Sequence, residues 1–153
     1  MTLPIRTFIV VATVVSFALG SFTTRAQRSG PDVEYASAED GLPFSSYVRV
    51  DDMLYLSGQL GNVPGGGLAQ GGVQAETRQT LENIRGVLER AGSSMNHVVK
   101  CSVFMADMSQ WPAMNEVYVT FFPDHLPARS AFGSTGLALG AALEIECFAT
   151  VGE

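Results

Sequence analysis

The stretch 142-ALEIECFATV-151 alternates strictly. In an extended chain Leu143, Ile145, Cys147, Ala149 and Val151 share one face, and Glu144, Glu146 and Phe148 share the other. That period of two predicts a strand with one side against an apolar core. The core must then be closed by elements whose apolar residues recur at helical spacing. Moving back along the chain, 73–91 supplies one. Leu81, Ile84, Leu88 and Ala91 fall three and four apart, while Glu76, Arg78, Glu82, Arg85, Glu89 and Arg90 occupy polar positions around them, and Gly92 stops the helix. The stretch 97-HVVKCSVFMAD-107 is nearly continuous in apolar character, as expected of a strand with neighbours on both sides. A second helix is predicted after Ser109, read as its N-cap, with Pro112 in the tolerated first turn and Trp111, Met114, Tyr118 and Phe121 as a buried face. An aromatic stripe at that spacing reads as core.

Further out, 47-YVRV-50 and 53-MLYLSG-58 flank Asp51-Asp52, which predicts a hairpin. The glycine-rich 61-GNVPGGGLAQGG-72 lacks both the lysine of a phosphate-binding loop and the GxGxxG spacing, so it reads as a connection. After the prolines of 122-FPDHLPAR-129, a further strand and a glycine-bearing turn lead into the last strand. The order strand–strand–helix–strand–helix–strand–strand defines an α+β domain with two helices on one face of a mixed sheet. The other face needs a cover, and a second copy of the chain would supply it.

Composition narrows the function. The 153 residues suffice for one domain, and 46% hydrophobic against 16% charged residues is a core-forming balance. A net charge of −6 offers no footprint for a nucleic-acid backbone. Lys100 is the sole lysine and the arginines are scattered, so an anionic metabolite has to be gripped by one local cation.

The amino terminus has its own pattern. Arg6 precedes an apolar run from Phe8 to Gly20, which falls short of the roughly 20 residues that span a bilayer. Small residues follow at Ala18-Leu19-Gly20 and Thr24-Arg25-Ala26. This is the layout of a cleavable secretory signal peptide over 1–26, directing export, with the periplasm as the expected compartment and retention as an uncleaved anchor as the alternative. Residues 27–42 read as a flexible lead-in and 43–153 as the domain. Cleavage removes Arg6 and Arg25 but no acid, making the mature chain more acidic. It also leaves no segment expected to hold the protein on a membrane.

Cys101 and Cys147 both sit in apolar strand-like runs. They read as buried thiols acting as small hydrophobes, with pairing as the alternative in an oxidising compartment. Two cysteines and two histidines without ligand spacing give no metal site. His97 and His125 read as surface residues, and no Ser-His-Asp or Cys-His arrangement is present.

Arg129 is the last cation in the chain, set among Pro127, Ala128, Ala131 and Phe132. It has three possible uses: to sit in solvent, to pair with Glu144 or Glu146, or to hold an anion. A guanidinium in a cleft holds a carboxylate through two parallel hydrogen bonds, and a nearby glutamate then places water or moves protons.

From Pro43 to Val151 the chain resembles the reactive intermediate deaminase (Rid, or YjgF-type) family. The resemblance rests on 57-SGQLG-61, 79-QTLENIRGVLERAG-92, 98-VVKCSVFMADM-108, 114-MNEVYVTFF-122, 127-PARSAF-132 and 143-LEIECFA-149, in the family's order. It implies a chorismate-mutase-like α+β fold, a homotrimer with clefts between subunits, and neither metal nor organic cofactor. It also implies hydrolysis of 2-aminoacrylate and related enamines or imines to 2-oxo acids and ammonia. By position, Arg129 matches the arginine that grips the substrate carboxylate and Glu144 the glutamate that places water. Asn115, Ser57 and Gly58 match residues lining the cleft. Phe44 falls where many members have tyrosine and Ala131 where many have cysteine. The chemistry needs no cysteine, because an imine carbon beside a carboxylate is already electrophilic, and the backbone N–H of Ala131 can still donate. The alternative is an exported trimer that binds small carboxylates or holds unfolding clients without catalysis. The enzymes that generate 2-aminoacrylate are mostly intracellular, which motivates it. RNA cleavage, claimed for some relatives, fits poorly with the acidic charge.

Overall fold

The computed structural model describes residues 30–38 and 41–152. The expected signal peptide and its cleavage sites lie outside them. Six strands and two helices follow in order: β1 (Val33–Ser37), β2 (Ser45–Val50), β3 (Met53–Leu56), α1 (Gly72–Arg90), β4 (Val98–Met105), α2 (Trp111–Tyr118), β5 (Ala128–Gly133) and β6 (Leu143–Thr150). They form one mixed sheet ordered β1-β2-β3-β6-β4-β5. Only β4 and β5, joined through α2, run parallel. This is the predicted α+β architecture with one strand added. β1 lies within the stretch read as a loose lead-in and pairs antiparallel with β2 as an edge strand. Its short, polar VEYAS sequence gives little period-two signal, and pairing with a hairpin already in place orders it. The Asp32 N–H donates to Asp51 Oδ1 at 3.0 Å, tying β1 to the hairpin turn. Asp51 itself takes φ 50, a left-handed conformation that aspartate tolerates better than most residues.

α1 ends as predicted, one residue earlier. The Ser93 N–H donates to the Leu88 carbonyl at 2.8 Å and that of Gly92 to Glu89 at 3.2 Å, with Gly92 at φ 74. These paired bonds satisfy carbonyls that the helix end would otherwise leave free. Leu81, Ile84 and Leu88 are fully buried against Leu143, Ile145 and Ala149 of β6. Truncating any of these three leucine or isoleucine side chains of α1 to alanine costs about 2–5 kcal/mol. Two polar expectations change. Glu76 is buried, and its Oε2 accepts from the Ala142 N–H at 2.8 Å, so it anchors the start of β6. Ser109 does not cap α2; its N–H donates to Asp107 Oδ1 at 2.9 Å in a short 3-10 turn that leads into the helix.

The cysteine expectation is also corrected. Cys101 and Cys147 are joined in a disulfide. They are direct partners in the β4/β6 register and both face the core. Each strand's pattern showed that its cysteine points inward, but neither pattern carries the register that sets the two opposite each other.

Candidate active site

Arg129 lies on β5, the outermost strand at one edge of the sheet. It is the register partner of Cys101, which places it on the helix-bearing side. Its guanidinium carbon sits 4.5 Å from the ring centroid of Tyr118 and 5.7 Å from that of Trp111, both on α2. Among the described residues no acid pairs with Arg129. Its half-buried charge therefore rests on aromatic faces, each within the range of a cation–π contact, and its donor edges stay open to a ligand. Arg129, Asn115, Tyr118, Val119, Leu126 and Pro127 line a cavity of about 310 Å³. Two buried polar atoms there, Asn115 Oδ1 and the Tyr118 hydroxyl, lack a hydrogen-bond partner among the described residues. Burial pushes the Tyr118 phenol up to about 12, against a smaller opposing effect of the Arg129 charge. Tyr118 is thus a neutral ring beneath a cation at any physiological pH.

Trp111 was expected in the core and is instead 39% exposed. Met114 in the same short helix takes the core position, and Trp111 lies partly open beside Arg129. Trp111, Asn115 and Tyr118 stand four and three residues apart, hence on one helix face. The polar Asn115 amid that aromatic stripe was the sequence signal that the face serves a site as well as a core.

Glu144 belongs to a second group. It pairs with Phe104 of β4, whereas Arg129 is in register with Cys101 and, through it, with Cys147. Glu144 and Cys147 are three residues apart on β6, so Glu144 and Arg129 point to opposite faces of the sheet. One chain therefore does not bring them together. The Glu144 carboxylate packs directly on Gly58, where a Cβ would overlap it. Gly58 follows Ser57, whose hydroxyl donates to the Ser45 carbonyl at 2.7 Å and holds the start of β2 against the end of β3. Ala131 sits two residues beyond Arg129, partly buried against the core on the same side. Phe44 is 51% exposed and borders a different hollow of about 590 Å³, beside Gly65, Gly66, Gly67 and Asn83. His125 is exposed, as expected, while His97 is half-buried with Nδ1 3.0 Å from the Ser94 hydroxyl. No group of His, Cys, Asp and Glu suited to a metal ion occurs among the described residues.

The open face of the sheet carries Tyr55 against Phe148 (centroids 5.3 Å apart) and Phe104 against Phe132 (6.0 Å), with Glu144 and Glu146 between. Tyr55 and Phe132 are 44% and 51% exposed, an apolar surface that one chain leaves uncovered.

A six-stranded mixed sheet with two helices on one face, and at its edge an arginine with no acid partner among the described residues, defines a small α+β protein. The sequence model of the family described as Endoribonuclease L-PSP (Ribonuc_L-PSP) matches residues 37–151, and the chain belongs to this Rid/YjgF family. It is 43% identical over 111 residues to the mouse 2-iminobutanoate/2-iminopropanoate deaminase, covering 72% of this chain and 82% of the mouse protein. Among solved structures it is similar to RidA from the Antarctic bacterium Psychrobacter sp. PAMC 21119 (TM-score 0.69, 36% identity, 81% of this chain and 100% of that one). It is likewise similar to E. coli TdcF with bound serine (TM-score 0.67, 32% identity, 72% and 89%).

Proposed function

We propose that this protein hydrolyses reactive enamines and imines of the 2-aminoacrylate and 2-iminopropanoate type to 2-oxo acids and ammonia, as a homotrimer with its sites between protomers. The observation that carries this reading is Arg129, a half-buried cation backed by two rings and paired with no acid among the described residues. A planar guanidinium so presented suits a carboxylate through two parallel hydrogen bonds. Clamping that carboxylate fixes the neighbouring C2 in place. Asn115 Oδ1, buried without a partner in the same cavity, can accept from the substrate's nitrogen. Water adds to C2 of the imine, a proton passes to nitrogen, the aminol collapses, and ammonia leaves as the C2 carbonyl forms. One imine and one water give one 2-oxo acid and one ammonia. Glu144 of a neighbouring protomer positions that water, with Ser57 and Gly58 forming the wall beside it. Ala131 supplies a backbone donor, and Phe44, which borders a separate hollow in one protomer, would reach the cleft only in the assembly and without the hydroxyl many relatives carry. The uncovered apolar face, where Glu144 lies, is what a second copy would bury.

Purified protein should accelerate ammonia release from freshly generated 2-aminoacrylate. Arg129→Ala should lower kcat/KM at least a hundredfold, the scale of a lost charge-assisted contact in a closed site. Equal rates for the two proteins would overturn the assignment. A reading without catalysis gains support from the serine bound to E. coli TdcF. In that case the protein would bind a 2-oxo acid or serine, lose that binding with Arg129, and release no ammonia. Holding of unfolding clients would survive the same substitution.

Export through a signal peptide over 1–26 is part of this proposal. The Cys101–Cys147 disulfide supports it, since such bonds persist chiefly in oxidising compartments. Amino-terminal sequencing of the protein from its host should find a chain beginning at Gln27 or just after Gly20.

A further inference from the structure

We propose that Tyr118 is a positioning residue of this site, its ring face setting the orientation in which Arg129 meets the substrate carboxylate; the proposal rests on the role assigned to Arg129 above. Three observations carry it. The guanidinium carbon is 4.5 Å from the Tyr118 centroid, closer than to Trp111. The ring is 2% exposed and is itself fixed by Phe122, 4.9 Å away between centroids, so it is a rigid platform. The hydroxyl makes no hydrogen bond among the described residues, so packing rather than the phenol holds the ring.

An arginine on an edge strand has several free torsions. With no carboxylate to fix it, the fork would sample many directions, and each bound anion would have to order it. A ring beneath the guanidinium plane limits that freedom while leaving the in-plane N–H donors pointing outward, as a bidentate acceptor requires. An acid in the place of Tyr118 would orient Arg129 equally well but would compete with the substrate for the same donors. Trp111, farther from the cation and 39% exposed, acts as a secondary contact.

The test uses the full chain labelled with ¹⁵N, comparing wild type, Tyr118→Phe, Tyr118→Leu and Trp111→Leu. The Arg129 Nε–H resonance reports the seat directly through the ring current. Titration with 2-oxobutanoate, an unreactive carboxylate, reports its consequence. Tyr118→Phe should keep the ring-shifted resonance and bind within about twofold of wild type. Tyr118→Leu should lose the shift and weaken binding roughly five- to thirtyfold, the range of a partly desolvated cation–π contact. In turnover that loss should appear in KM, with kcat changed less than about threefold. Trp111→Leu removes an exposed side chain with little risk to folding and should show a smaller change of the same kind. A wild-type resonance and affinity in Tyr118→Leu would overturn the proposal. So would a Tyr118→Phe variant as impaired as Tyr118→Leu, which would assign the effect to the hydroxyl. Absence of turnover in the wild type would strike the deaminase reading, while the resonance and the titration would still decide the seat.

Discussion

Gly58 illustrates how much a single missing side chain does. Its Cα lies against the Glu144 carboxylate, and any Cβ there would overlap it. Gly58→Ala should therefore push Glu144 out of place. Forcing extra atoms into a packed contact costs about 1–3 kcal/mol, yet Glu144 is only half-buried on the open face and has room to swing away. The expected result is a folded protein, with thermal melting within a few degrees of wild type, whose deaminase kcat falls tenfold or more. Unchanged kcat would separate Glu144 from the chemistry. The single-letter sequence marks Gly58 and Glu144 as separate positions 86 residues apart, and their contact depends on the β3/β6 pairing. The same holds for Arg129. Its isolation among small and apolar neighbours could be read directly, whereas its aromatic support could not, because Trp111 and Tyr118 carry the same periodic signature as a core stripe.

Elements were read well where one period dominates. α1, β4 and β6 each bury one consistent set of side chains, so their patterns survive into the structure nearly residue for residue. β1 and the start of α2 were not legible, because their conformations are set by neighbours: β1 by the hairpin beside it, α2 by the Asp107 turn before it. The disulfide is likewise a property of two elements together. It clips β4 to β6 across a separation of 46 residues. In the chain-entropy picture a closed loop of that size stabilises the fold by about 4 kcal/mol. The paired Cys101→Ala/Cys147→Ala variant should show a clear loss of unfolding free energy in urea, with m rising as the denatured chain expands. Dithiothreitol should lower the melting point of the wild type and leave that of the variant where it is. A wild type indifferent to reductant would mean that the bond is absent or contributes nothing.

At the scale of the whole molecule, the two halves of the proposed chemistry face away from each other. If an active site pairs Arg129 of one protomer with Glu144 of the next, inactive chains can complement one another. Arg129→Ala and Glu144→Gln proteins, each inactive alone, should recover measurable deaminase activity after being mixed, dissociated and reassembled. In a cyclic trimer of mixed composition one site would hold both wild-type residues. No recovery, despite mixed oligomers demonstrated by mass spectrometry, would place both residues in the same protomer's site or exclude one of them. The sequence pattern raised the expectation of a partner, because its two helices cover only one face of the sheet. Which residues the partner completes was not, because that depends on the side of the sheet to which each strand turns its odd and even positions.

If the site is shared between protomers as proposed, the opposed placement of Arg129 and Glu144 also makes output depend on abundance. A chain diluted until it is solitary retains every functional group and can use none of them in concert. Specific activity should then climb with protein concentration and level off only once assembly saturates. The tightness of self-association would then set the lowest dose at which the protein works at all.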